Sequence, residues 1–80
     1  MTNWQELIEA RLDKIVELLE ECYLAKEDAL ADNDFETTSQ LGLQQDALDE
    51  EATDLGLLLC DLPFLTEIEI SNRCKRWLNQ

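Results

Sequence analysis

The sequence predicts an all-α fold, an antiparallel hairpin of two long helices carrying a short third helix. Three observations lead there. The 80 residues include only two glycines and one proline, set among long runs of Ala, Leu, Glu, Gln and Lys that favour helix. Apolar residues recur in steps of four and three along two long segments. Polar or proline-containing breaks, at Asp32-Asn33-Asp34 and at Pro63, divide the chain into three parts.

The first helix is predicted over about residues 4–31. Asn3 and Glu6 have the spacing of a capping box, and Ile8, Leu12, Ile15, Leu19 and Cys22 then mark an amphipathic stripe. Adding Trp4, Leu7, Val16, Leu18, Tyr23 and Leu30 widens the apolar arc to about half the circumference at about 100° per residue. An arc that wide needs more than one packing partner. Glu6, Glu9, Asp13, Glu17, Glu20 and Glu27 fill most of the remainder.

Asp32-Asn33-Asp34, followed by Thr37, Thr38 and Ser39, reads as the hairpin turn, because these side chains compete for backbone hydrogen bonds and favour caps. Asp32 to Glu36 briefly imitates a calcium loop. Thr37 at the sixth position and Leu43 at the twelfth, where glycine and glutamate belong, remove the match. The second helix is predicted over about 35–60, with a narrower stripe at Leu41, Gln45, Leu48, Ala52, Leu55, Leu59 and Leu62. Its start, near Gly42 and Gln45, is thin, whereas Leu55 to Cys60 is apolar all round and is expected to be covered on several sides.

Pro63 stops that helix, and Thr66 with Glu69 forms a second capping box, supported by a hydrophobic staple between Leu65 and Ile70. The third helix, about 66–78, is expected to fold back onto helix one near Leu12, Ile15 and Leu19 through Cys74 and Trp77. Arg73 and Arg76 would then lie level with Glu9 to Glu17 of helix one and offset part of its repulsion.

Composition narrows function. With 19 acidic and 6 basic residues the net charge is −13, which argues against nucleic acid or an anionic membrane as a direct partner and favours a protein with a basic surface. No apolar run approaches the roughly 20 residues of a membrane span, and no basic-then-apolar leader opens the sequence. A single domain over 1–80 in the cytoplasm is the expectation. Cys22, Cys60 and Cys74 are odd in number, lack C-x-x-C spacing and have no histidine to complete a zinc site, so all three are expected in the core as small hydrophobes. Without histidine, a glycine-rich phosphate loop or a nucleophile elbow, neither an enzyme nor a metal or cofactor site is expected.

What remains is binding. The leading expectation is a non-enzymatic protein-binding module, a small adaptor, escort or inhibitor, that packs an apolar helical face against a partner. The third helix is too short to reach the hairpin tip, so the apolar candidates lie there: Tyr23 and Leu30 opposite Phe35, Leu41 and Leu43, rimmed by charge. One alternative is an acidic nucleic-acid mimic of the anti-restriction or anti-CRISPR type, which would block a DNA- or RNA-binding protein through Glu6, Glu9, Asp13, Glu17, Glu20 and Glu27. Residues 1–71 hold all 19 acids and only Arg11, Lys14 and Lys26 among the bases, but duplex DNA carries a charge about every 1.7 Å, far denser than helix one. Another alternative is a self-assembling homodimer, two hairpins forming a helical bundle.

Overall fold

A computed structural model describes residues 3–78. Helix α1 runs Trp4–Ala31 and helix α2 Phe35–Asp61; a 3-10 turn, Leu62–Phe64, leads into helix α3, Glu67–Leu78. The two long helices lie antiparallel against each other, and among the described residues there is no strand.

Local chemistry sets each boundary. Asn3 accepts the Glu6 N–H at 3.2 Å and starts α1. At its other end Asn33 takes the left-handed conformation, φ 57°, which asparagine tolerates better than most residues. The Asn33 N–H then donates to the Leu30 carbonyl at 3.1 Å and the Asp34 N–H to the Ala29 carbonyl at 2.8 Å, the paired bonds of a Schellman ending. Asp34 also opens α2, its carboxylate accepting the Thr37 N–H at 3.1 Å and the Thr37 hydroxyl at 2.6 Å. One residue thus closes one helix and begins the next. Before α3 the expected capping box is complete: Thr66 Oγ1 accepts the Glu69 N–H at 3.3 Å while Glu69 accepts the Thr66 N–H at 3.2 Å.

The core follows a repeat of seven along α1, with Ile8, Ile15, Cys22 and Ala29 buried. That spacing keeps one seam facing α2 along the length of a left-handed pair. Across it, α2 buries Leu48, Glu51, Leu55 and Leu58, and α3 adds Ile70 and Cys74. Side-chain volume falls towards the tip, from isoleucine to cysteine to alanine, and α2 buries nothing before Leu48. Full burial of a leucine or isoleucine contributes about 1.5–3 kcal/mol, so stability concentrates at the end where Ile8, Ile15, Leu55 and Leu58 meet.

Four expectations need correction. Arg73 and Arg76 pair with α2, not with α1: Arg73 reaches Asp61 at 3.0 Å, and Arg76 reaches Glu50 at 2.9 Å and Asp54 at 3.6 Å. Ile70 and Cys74 still enter the shared core with Ile8 and Ile15, but α3 lies closer to α2, and Trp77 stands beside Asp54 and Leu58. Cys60 is exposed, unlike Cys22 and Cys74. For the same reason the Leu55–Cys60 run is not enclosed: Leu57 remains 56% exposed, because α1 and α3 cover only part of the circumference of α2.

Candidate interaction face

The seven-residue repeat that writes the core also writes a second stripe. Val16, Tyr23 and Leu30 each follow a buried residue, Ile15, Cys22 and Ala29, and so stand about 100° further round α1. Leu19 completes the four-three spacing. Val16 is 56% exposed, Tyr23 55% and Leu24 61%, and with Leu19 and Glu20 they line a groove of about 450 Å³. A second groove of about 300 Å³ continues from Tyr23 towards the tip, lined by Tyr23, Lys26, Glu27, Leu30 and, from α2, Gln45. The two share Tyr23, and together they form an open apolar face from Val16 to Leu30.

This face lies on the side of the hairpin away from α3. Gln45 borders the tip groove, whereas Asp54 and Leu58 border the groove beside Arg73, Arg76 and Trp77. Gln45 and Asp54 stand about 180° apart around α2 at about 100° per residue, which sets α3 and the apolar face on opposite sides of a two-helix layer. The molecule extends 49 × 20 × 16 Å, and α3, twelve residues and so about 18 Å long, accompanies less than half of that length.

The rim is acidic. Glu20 borders one groove and Glu27 the other. Hydrogen bonding to the Glu27 carboxylate raises the pKa of the Tyr23 phenol above its ordinary value. Glu6, Glu9, Asp13, Glu17, Glu20 and Glu27 are all exposed and fall on one adjoining strip of α1. Within that strip Glu9 accepts from Gln5 at 3.2 Å and Glu17 meets Lys14 at 3.4 Å. Lys26 is the basic residue inside the tip groove.

The tip residues singled out from sequence do not form one patch. Tyr23 and Leu30 share a groove. Leu41 is half-buried and Leu43 is 71% exposed; two residues apart on a helix, they project about 200° from each other and cannot serve the same face. Phe35, in the first turn of α2, is also exposed but lines neither groove. Val16 and Leu19 lie on the apolar arc read from the sequence but outside the tip candidates, and Leu24 lies off that arc. The available signal was the arc itself, which holds two four-three stripes rather than one broad stripe.

Elsewhere the polar chemistry is internal. Arg11 and Glu51 satisfy each other across the helices, and Glu51 is 6% exposed. Among the described residues no group of three or more Cys, Asp or Glu could hold a metal ion, and no helix is long and apolar enough to cross a membrane. Comparison with protein-family models, curated proteins and solved structures finds no match.

Proposed function

We propose that this chain is a non-enzymatic protein-binding module, a small acidic adaptor, escort or inhibitor, that packs its open α1 face against a partner protein. The observation that carries this reading is the continuous groove over Val16, Leu19, Tyr23 and Leu24, apolar residues that the chain's own α3 leaves uncovered. Contiguous exposed apolar surface rimmed by charge is the anatomy of an interface. Tyrosine at its middle suits the part, since aromatic residues supply much of the energy at binding hot spots.

The net charge of −13 favours a protein partner over nucleic acid or an anionic membrane. The acidic strip from Glu6 to Glu27 adjoins the apolar stripe, so it can steer a basic partner on to the face without itself imitating a nucleic acid; its charges are too sparse along α1 for duplex spacing. A symmetric homodimer through the same face is the competing occupant.

The test is co-purification from the native cell with wild-type chain and with Val16→Asp, an exposed position whose change leaves the core intact. A partner retained by wild type and lost by the variant, at both low and high salt, supports the reading. The same proteins retained by both chains would remove it.

A further inference from the structure

Helix α3 is short and amphipathic, acidic in its first turn at Glu67 and Glu69 and basic in its second half: Ile70, Cys74 and Trp77 face inward, while Arg73 and Arg76 reach out to Asp61, Glu50 and Asp54 on the acidic wall of α2. The Arg76 guanidinium also stacks on the Trp77 ring at 4.4 Å. On the opposite side of the hairpin the same chemistry recurs without a helix on it, an apolar stripe beside acids.

We infer that the open face takes an amphipathic, basic-flanked helix of a partner protein, laid along α1 from Val16 to Leu30 as a counterpart to α3. This rests on the reading of that face as a docking surface and adds the chemistry of what docks. The stripe runs about 21 Å, the length of a partner helix of about 14 residues. Apolar side chains at four-three spacing would fill the grooves over Val16, Leu19 and Tyr23. Lys or Arg on the flank over α1 would meet Glu20 and Glu27, with Glu9 and Asp13 extending the same row. The rim also bears on the competing occupant. A second copy of this chain brings a further −13 and sets one acidic rim against another, whereas a basic helix neutralises it.

The experiment uses the full chain and two synthetic peptides of about 18 residues, each with leucines at four-three spacing, one flanked by Lys and Arg and the other by Glu at the same positions. Calorimetry gives affinity, amide NMR shifts give the site, and sedimentation gives the oligomeric state. The basic peptide is expected to bind about tenfold or more tighter than the acidic one, with shifts at residues 16–30, and to weaken with added salt. Glu20→Gln with Glu27→Gln should reduce its affinity about tenfold, as two rim ion pairs allow. Equal binding of both peptides at residues 16–30 would overturn the charge assignment while leaving the docking surface in place. Shifts confined to Glu67–Leu78 would show displacement of α3 and overturn the site. A dimer that blocks both peptides and dissociates in Val16→Asp would make the occupant a second copy and overturn the inference. A monomer that binds neither peptide would overturn the inference together with the docking surface.

Discussion

Arg11 of α1 holds the carboxylate of Glu51 on α2 side-on, Nε at 2.5 Å from one oxygen and Nη2 at 3.0 Å from the other. Glu51 stands in the buried row between Leu48 and Leu55, where an apolar residue would otherwise pack. The Arg11 pKa is raised, chiefly by this hydrogen bond. A slip of either helix by one turn would leave the Glu51 charge inside the seam without its partner, so the pair sets the register of the hairpin. Arg11→Met alone should destabilise by about 3 kcal/mol, the low end for breaking a buried pair because the Arg11 side chain is 31% exposed. Adding Glu51→Leu should recover most of that loss. Denaturant unfolding of the two single variants and the double variant measures the coupling; additive losses would remove the pair's role.

The turn between α1 and α2 predicts a pH effect. Hydrogen bonds from the Thr37 hydroxyl, and after it from the Thr37 N–H, hold the Asp34 carboxyl below its ordinary pKa of 3.8. A depressed folded value means stabilisation that is fully present above the unfolded pKa and lost as pH falls through the folded one. Asp34→Asn keeps a capping oxygen and removes the charge. Its melting temperature should therefore fall below that of wild type near neutrality, and the gap should close as pH falls below 3.8 and through the lowered folded value. A gap independent of pH would mean that the carboxylate charge contributes nothing at the turn.

Thiol chemistry should separate the cysteines. Cys60 is exposed while Cys22 and Cys74 are buried, and burial raises the Cys74 thiol pKa. An aromatic disulfide reagent should react quickly with one thiol, abolished by Cys60→Ser, and with the other two only as the fold opens. Fast reaction at Cys74 would mean that α3 is not seated as described.

The taper of the core predicts a gradient of local stability. Amides of α1 near Ile8 and Ile15, facing Leu55 and Leu58, should exchange at the global unfolding rate. Those near Ala29 and Leu41 should exchange faster, through local opening of the tip. Uniform protection along both helices would contradict the uneven packing.

Much of this architecture was legible in the sequence because its signals are local. Asn3, Asp34 and Thr66 cap helices through bonds spanning three residues, and the four-three stepping from Ile8 marks a helix on any surface. What was not legible depends on which side of a helix is covered. Leu57 and Cys60 sit in an apolar run that suggests enclosure, yet only the position of α3 decides their exposure. Glu51 is one acid among 19, and nothing local distinguishes it from exposed Glu50 beside it. The face over Val16 and Tyr23 was half legible: the wide arc announced surplus apolar surface, but the tip reading merged Leu41 with Leu43, which point apart. The side taken by α3 left the middle of α1 open as well.

Whether a partner protein covers the α1 face is read by methyl NMR of the chain with its co-purified partner added. The methyl signals of Val16, Leu19, Leu24 and Leu30 are expected to shift or broaden, while those of Ile70 on α3 and Leu57 on the outer side of α2 stay in place. Binding that perturbs Ile70 or Leu57 and leaves Val16 and Leu24 unchanged would contradict that placement.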